Sequence, residues 1–326
     1  MIKPTTILTG FLGAGKTTLL NAILSERRSV RYAIIENEIG SESIDGELIL
    51  KSDDQLIELN DGCLCCTLND DLYQTLNQLH SRRDEFDELI IECTGIANPA
   101  TVALPFTNHP AVKSDFPLHR VICLVDAELI EDQLRETDEA LRQISFSDII
   151  LINKTDQITD SYLLELENIL RKINPLAFIV SGQKGQYPLE QIFQFQKNER
   201  LTKRVFRLDR TTATESNSHG EITALSFRFT ETFDIQFLYH RLRVFLRLQA
   251  KDVFRFKALV NGNEIKHKII IQSVGENISI DNGDYWETDT IPVSRFVFIG
   301  KNLKPEGLEK MLKQCMINIP GDTNHH

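Results

Sequence analysis

The sequence lacks the features that mark several large classes of protein. It contains no apolar run long enough to span a bilayer. Its formal net charge is −11, so it has no cationic excess with which to attract nucleic acid or an anionic membrane. Its first residues lead into an apolar strand pattern instead of a signal sequence. These absences predict a cytoplasmic protein that binds neither nucleic acid nor membrane.

Cysteine is also scarce, with six in the chain. In a cytosolic protein of this size, cysteines indicate metal or redox chemistry before structural disulfides. Cys93 and Cys123 lie in apolar runs and Cys315 lies in a helical pattern, so we interpret all three as buried apolar residues. The other three cysteines cluster near residue 65 and are treated below.

Short apolar runs alternate with helical patterns through the first half of the chain. The runs cover residues 6–8, 32–36, 89–92, 121–125, 149–152 and 178–180, and the helical patterns cover 70–80, 128–143 and 161–173. This alternation predicts an α/β fold with a doubly wound, mainly parallel sheet. Ligand-binding groups in such folds gather at the carboxyl ends of the strands.

The length of 326 residues and a polar stretch at 211–218 indicate two domains. We predict a first domain at 1–205, a linker at 206–220 and a second domain at 221–318. The second domain shows strand patterns at 222–229, 258–260, 268–272 and 295–299, and helical patterns at 235–248 and 304–315. The order β-α-β-β-β-α predicts a smaller α+β domain.

A phosphate-binding loop follows the first strand pattern. Its spacing is glycine, four residues, then Gly-Lys-Thr, and it comprises Gly10, Gly13, Ala14, Gly15, Lys16, Thr17 and Thr18. In such loops backbone N–H groups wrap the phosphates, the lysine neutralises them and the threonine hydroxyl binds Mg²⁺. So loose a pattern also arises by chance in a glycine-rich turn, but the flanking strand and helix favour a nucleotide site.

A second motif identifies the base. Asn153, Lys154 and Asp156 form an Asn-Lys-x-Asp tetrad at the end of an apolar strand. The Asp156 carboxylate can accept two hydrogen bonds from the N1–H and amino group of guanine, which adenine cannot offer. The tetrad together with the phosphate loop favours GTP over ATP. Ser181 ends the next strand and is a weaker candidate for contact with the base.

Three acidic residues end predicted strands. Glu92 can bind magnesium or position the attacking water, and Gly95 after it allows the backbone to approach the γ-phosphate. Glu36 and Glu38 share one face of an extended segment, which suits the presentation of oxygen ligands to a metal. Strand-end acids are common without a role, but their place beside the phosphate loop favours a metal site.

Cys63, Cys65 and Cys66 place three thiols within four residues. Thiolates select zinc or cuprous copper over magnesium. A permanently filled structural zinc site and a redox-active thiol pair are the two alternatives. A structural site usually takes four protein ligands from two separated pairs, so we favour an exchangeable metal.

These motifs, in this order, resemble the CobW family of P-loop GTPases, and particularly its zinc-binding metallochaperones with a Cys-x-Cys-Cys element. The resemblance covers nearly the whole chain. It rests on residues 9–18, 35–38, 60–66, 91–95 and 153–156 in the first domain, and on 272–275, Trp286 and 296–300 in the second.

The resemblance implies a P-loop NTPase fold and a slow GTPase that couples GTP, GDP and Mg²⁺ binding to the transfer of a metal, usually Zn²⁺. Glu92 and Glu38 would complete the magnesium site, and Glu36 with the three cysteines would hold the transition metal. Cys66 and Asn69 would lie close to bound nucleotide. The partner would be a client metalloprotein whose identity the sequence does not give, and the oligomeric state stays open.

The chain departs from the family pattern at two places. Ser41 stands where the family commonly has glutamate, which leaves the metal role of that position in doubt. The linker has one histidine, His219, where many relatives are histidine-rich, so bulk metal storage is not expected. The role of His325 and His326 stays open.

Two other functions fit the same motifs. The protein could be a metal buffer in which GTP is a static ligand, or a thiol-redox sensor. The choice of zinc over cobalt, nickel or copper is a bias from ligand softness.

Overall fold

The structure is a computed structural model, and it describes residues 2–36, 56–60, 68–195, 222–249, 251–288 and 290–317. The chain forms two compact units, Met1–Glu199 and Arg200–His326. The linker predicted at 206–220 lies outside the described residues. Each unit is therefore taken by itself.

The first unit is built on a seven-stranded sheet in which every pair of neighbouring strands is parallel. The order across the sheet is β3-β2-β4-β1-β5-β6-β7, so the first strand lies at its centre. The strands are β1 (Thr5–Gly10), β2 (Tyr32–Glu36), β3 (Leu56–Asn60), β4 (Glu88–Glu92), β5 (Leu118–Asp126), β6 (Ile149–Asn153) and β7 (Phe178–Ser181).

Helices connect these strands. They are α1 (Lys16–Glu26), α2 (Leu68–Ser81), α3 (Pro99–Asn108), α4 (Pro110–Asp115), α5 (Ile130–Glu136), α6 (Asp138–Phe146), α7 (Asp160–Ile173) and α8 (Leu189–Gln194), with a 3₁₀ turn at Thr155–Gln157. No helix in the described part of either unit is long and apolar enough to cross a membrane.

The central strands are buried on both faces, as expected where helices cover a parallel sheet on both sides. All residues of β1, β2 and β6 are buried. This explains why these strands appear in the sequence as continuous apolar runs. The α/β fold with a parallel sheet is confirmed.

Two details of the first unit differ from the sequence-based expectation. The strand β3 was missed, because this short edge strand alternates apolar and polar residues. The single helix predicted at 128–143 was wrong: the chain forms α5 and α6 with Thr137 between them. The Thr137 hydroxyl caps α6 by accepting a hydrogen bond from the amide of Ala140 at 3.3 Å.

The second unit is a five-stranded antiparallel sheet with two helices. Its elements are β8 (Ile222–Phe229), α9 (Ile235–Leu248), β9 (Val253–Asn261), β10 (His267–Val274), β11 (Asn277–Tyr285), β12 (Ser294–Lys301) and α10 (Pro305–Lys313). The strand order is β11-β10-β9-β12-β8. The core joins Leu238, Leu242 and Leu246 of α9 to Phe256, Phe296 and Phe298 of the sheet.

The α+β architecture of this unit is confirmed, but the predicted element order lacked one strand. The missing strand is β11, which forms an edge of the sheet and is rich in Asn, Asp and Gly. These residues are unfavourable in strands. The pairing of β11 with β10 therefore outweighs its weak local preference.

Candidate functional site

Thirteen of the predicted site residues come to the carboxyl edge of the seven-stranded sheet. Because all strands are parallel, their carboxyl ends meet at one edge. The structure places Gly10 at the end of β1, the other phosphate-loop residues between β1 and the first turn of α1, Glu36, Glu92, Asn153 and Ser181 at the ends of β2, β4, β6 and β7, and Lys154 and Asp156 just after β6.

The phosphate loop ends at Gly15, which caps the start of α1 with a left-handed φ of 102°. Such a conformation favours glycine. The Lys16 side chain is 8% exposed, and its ammonium group donates to the carbonyl oxygens of Gly10 and Phe11 at 3.1 and 3.3 Å. Lys16 is thus held over the loop, whose backbone N–H groups would donate hydrogen bonds to phosphate oxygens.

Oxygen ligands for a cation lie beside this loop. The Thr17 hydroxyl donates to Oε1 of Glu92 at 3.5 Å, a long distance for a hydrogen bond. A hydroxyl and a carboxylate are the hard oxygen ligands that Mg²⁺ prefers. The residues present therefore fit a magnesium ion, which Thr17 and Glu92 would hold.

Glu36 and Glu92 are paired across two neighbouring strands. The register of β2 and β4 places Glu36 opposite Glu92, and Leu8 of β1 lies opposite Glu92 on the other side. Glu36 is 6% exposed. Both carboxylates thus end their strands at the level of Leu8, two residues before the phosphate loop begins at Gly10.

Asn153 connects the base-recognition motif to the phosphate loop. Its side-chain amide donates to the carbonyl oxygen of Ala14 at 2.8 Å, and the side chain is buried. A Cβ on Gly15 would lie 2.3 Å from the same nitrogen. Only glycine at this position lets Asn153 approach the loop so closely.

Lys154 is fixed by a buried acid. Its backbone is left-handed, with φ of 61°, and its ammonium group lies 2.6 Å from a carboxylate oxygen of Asp126. The Asp126 side chain is 2% exposed, and its other oxygen accepts from the amide of Glu128 at 3.0 Å. This pair orients Lys154 along one side of the predicted guanine site.

Asp156 lies on the 3₁₀ turn that follows β6. Its carboxylate is 3.8 Å from the ammonium group of Lys184, a distance beyond hydrogen bonding. Its oxygens therefore fit the two donors of a guanine edge. The hydroxyl of Thr155 donates to the carbonyl of Gly182 at 3.1 Å, which joins this turn to the segment after Ser181.

A turn at residues 94–97 packs against the phosphate loop. A Cβ on Gly95 would lie 2.5 Å from the backbone nitrogen of Leu12. On the other side of the turn, the buried amide of Gln143 donates to the carbonyl oxygens of Gly95 and Ala97 at 3.1 and 3.2 Å. The turn is therefore held from both sides.

The cysteines that the structure describes are not candidate metal ligands. Burial raises the pKa of the Cys93 and Cys123 thiols to about 12 and that of Cys315 to about 11. These thiols stay protonated at neutral pH, whereas metal ligation needs the thiolate. Within the described residues, no group of three His, Cys, Asp or Glu side chains could hold a metal ion.

Four predicted ligands cannot be placed. Glu38, Cys63, Cys65 and Cys66 lie outside the described residues, and so does Ser41. Asn69 lies in the first turn of α2, but its side chain is not described. The three-cysteine site therefore remains a prediction.

The sequence analysis missed three residues of this site: Asp126, Gln143 and Lys184. Asp126 had a readable signal, since it ends an apolar strand as Glu36 and Glu92 do. Gln143 and Lys184 had none. Their roles depend on contacts with segments distant in sequence or on loop geometry.

Two protein-family models match the chain, one in each unit. Residues 4–181 match the family model described as "CobW/HypB/UreG, nucleotide-binding domain". Residues 222–316 match the "Cobalamin synthesis protein cobW C-terminal domain". Together the two models cover most of both units.

Two curated relatives and one solved structure illustrate the similarity. The chain is 32% identical over 310 residues to "Zinc chaperone YjiA" of Escherichia coli (strain K12), covering 92% of this chain and 95% of that protein. It is 39% identical over 191 residues to "Zinc-regulated GTPase metalloprotein activator 1" of Schizosaccharomyces pombe, covering 56% of this chain and 46% of that one. The crystal structure of Zn(II)-bound YjiA GTPase from E. coli matches with a TM-score of 0.74 and 28% identity, covering 97% of this chain and 100% of that chain.

Proposed function

Because this chain belongs to the CobW/HypB/UreG family of nucleotide-binding proteins, we propose that it couples GTP binding and hydrolysis to the binding and transfer of a transition metal. The metal is zinc, as the names of its relatives suggest. The chain is a GTPase, and its cofactors are GTP or GDP and Mg²⁺. The recipient is a client metalloprotein.

The residues at the sheet edge divide the work of hydrolysis. Lys16 neutralises phosphate charge, and Thr17 with Glu92 holds magnesium beside the phosphate loop. Asn153, Lys154 and Asp156 bind the guanine base, and Ser181 lies at the next strand end. Magnesium supplies charge stabilisation to the transferred phosphoryl group when bound.

The observation that carries the metal proposal is the pairing of Glu36 with Glu92. Glu36 ends its strand directly opposite a carboxylate that lies 3.5 Å from the Thr17 hydroxyl. Neighbouring strands are about 4.8 Å apart. A metal held by Glu36 with Cys63, Cys65 and Cys66 is therefore close enough to the phosphate site for nucleotide and metal to affect each other.

This coupling has a thermodynamic requirement. If GTP changes the affinity for zinc by some factor, zinc must change the affinity for GTP by the same factor. Coupling between sites commonly amounts to roughly 5-fold to 150-fold. Glu38 and Asn69 would respond to both ligands, since they flank the metal and nucleotide positions in the sequence.

The test is a zinc titration against a competing chelator, with GDP or with a slowly hydrolysed GTP analogue present. We expect the two nucleotides to give different zinc affinities in the wild type. Cys66→Ala should weaken zinc binding and remove the difference. Cys315→Ala is the matched control, because that thiol is buried in the second unit and stays protonated.

Identical zinc curves in the two nucleotide states would contradict the coupling. A comparison of GTP hydrolysis by the wild type and by Lys16→Ala separates an enzyme from a metal buffer. If the wild type hydrolyses GTP no faster than this variant, GTP is a static ligand.

A further inference from the structure

Gln143 is a buried polar residue that has no part in the nucleotide and metal contacts proposed above. It lies on α6, and 1% of it is exposed. Its amide nitrogen donates to the carbonyl oxygens of Gly95 at 3.1 Å and Ala97 at 3.2 Å, which lie 48 and 46 residues earlier in the chain. Buried amides are placed where their hydrogen bonds are made. Both carbonyls it serves belong to one turn.

That turn lies between Gln143 and the phosphate loop. It closes with a hydrogen bond from the amide of Ala97 to the carbonyl of Thr94 at 3.1 Å. Its inner side packs on Leu12, where a Cβ on Gly95 would come within 2.5 Å of two Leu12 atoms. The turn also begins two residues after Glu92. Its distance from the phosphate loop therefore depends on Gln143.

We infer that Gln143 is a positioning residue that holds the turn at 94–97 against the phosphate loop and thereby sets how strongly the protein distinguishes GTP from GDP. The two nucleotides differ only in the γ-phosphate, the group nearest the outer part of the loop. A backbone segment held beside that loop contacts the γ-phosphate, and GDP has nothing to offer it. This inference rests on the GTPase function described above.

Loss of the Gln143 amide would lower the fraction of molecules in which the turn lies against the phosphate loop. Without the Gln143 amide, the buried carbonyl oxygen of Gly95 and the partly buried one of Ala97 lose this donor, which favours conformations in which the turn moves to water. The apparent affinity for a ligand falls by the fraction of molecules that remain competent to bind it. That fraction matters for GTP and for the transition state of hydrolysis, and it does not matter for GDP.

Gln143→Met is the direct test, because methionine has nearly the same length and remains buried but donates no hydrogen bond. The control is Ser147→Ala, which removes a buried hydroxyl donating to the backbone carbonyl of Gln143 at 2.7 Å. Ser147 is fully buried, and its hydroxyl bonds to the backbone of α6 instead of to the turn carbonyls that Gln143 serves. Both variants lose hydrogen bonding at α6, and only one releases the turn.

Three quantities are measured: the affinity for GDP, the affinity for a slowly hydrolysed GTP analogue, and kcat with GTP. We expect Gln143→Met to lower the analogue affinity and kcat on the order of tenfold, with the GDP affinity within about twofold of the wild type. Ser147→Ala should keep the wild-type ratio of the two affinities. If Gln143→Met does not fold, the shorter Gln143→Asn gives the same test, because its amide cannot reach both carbonyls.

The inference is overturned if Gln143→Met keeps the wild-type ratio of analogue affinity to GDP affinity. That ratio would also be kept if the variant weakened the binding of both nucleotides equally, as a general loss of stability would. These outcomes differ from a failure of the proposed function. That failure appears in the wild type itself, as zinc binding that is the same in both nucleotide states.

Discussion

The side-chain amide of Asn153 donates a 2.8 Å hydrogen bond to the backbone carbonyl of Ala14, 139 residues earlier in the chain. The residue that begins the base-recognition motif is thereby a structural support of the phosphate loop. Gly15 makes the approach possible, because any side chain there would meet the same nitrogen. Recognition of the base and of the phosphates is therefore joined through one buried bond.

Asn153→Ala should weaken the binding of every nucleotide, because it leaves the Ala14 carbonyl without the Asn153 donor and loosens the phosphate loop. The loss of a buried hydrogen bond costs about 1–3 kcal/mol, which is roughly 5-fold to 150-fold in affinity. The measurement is direct binding of GTP and of ATP to the wild type and the variant. ATP reports on the phosphate loop alone, because its base does not fit Asp156.

Asp156→Ala is the matched comparison for this prediction. It removes the carboxylate proposed to bind guanine and leaves the Asn153 to Ala14 bond intact. It should therefore lower the affinity for GTP towards that for ATP, with ATP unchanged. If Asn153→Ala behaves in the same way as Asp156→Ala, the support role of Asn153 is refuted.

Lys184 should oppose guanine binding slightly. Its ammonium group lies 3.8 Å from the Asp156 carboxylate, and 79% of its side chain is exposed. Such a surface pair contributes between about 0 and 1 kcal/mol and is screened by salt. At low salt, Lys184→Ala should raise the affinities for GTP and for GDP equally, by less than about fivefold. At high salt the variant and the wild type should converge, and an advantage that persists there would rule out this electrostatic origin.

The buried thiols of the first unit should make it sensitive to alkali. Burial raises the pKa of Cys93 and Cys123 from 9.0 in the unfolded chain to about 12 in the folded protein. Between these values the folded state holds protons that the unfolded state has released, so the free energy of unfolding falls as pH rises. The expected loss is about 1 kcal/mol per thiol between about pH 8 and about pH 10.

The double variant C93A/C123A should lose less stability over that pH range than the wild type. Urea unfolding at several pH values measures it, with EDTA present to remove any effect of bound metal. The quantity compared is the change in the free energy of unfolding between about pH 8 and about pH 10 within each protein. This change is used because the substitutions also leave small cavities, which lower stability at every pH. Equal losses in both proteins would mean that these thiols do not titrate as their burial requires.

The central strands could be predicted from the sequence, and the edge strands β3 and β11 could not. β1 and β6 are buried on both faces, so their apolar runs are continuous. β3 and β11 are edge strands with polar residues, and only pairing with a neighbour makes them strands. The break at Thr137 was missed for a similar reason, since threonine is tolerated inside helices and marks a cap only in context.

The site was predictable where chemistry is tied to spacing along the chain. The phosphate loop and the Asn-Lys-x-Asp tetrad have that property, and both lie at the carboxyl edge of the sheet. The supports of these motifs come from remote segments. Gln143 reaches back 48 residues to Gly95, and Asp126 pairs with Lys154 across two strands. No local pattern encodes such contacts.

The strand order places the two kinds of chemistry on opposite sides of β1. The carboxylates Glu36 and Glu92 end β2 and β4 on one side. On the other side Asn153 ends β6 and Asp156 follows it. The choice of base can therefore be altered without touching the residues proposed to bind metal. Asp156→Asn replaces an acceptor by a donor, which suits the extra carbonyl of xanthine. Such a variant should use xanthosine triphosphate, so its metal transfer could be started in a cell extract with a nucleotide that unmodified GTPases do not recognise.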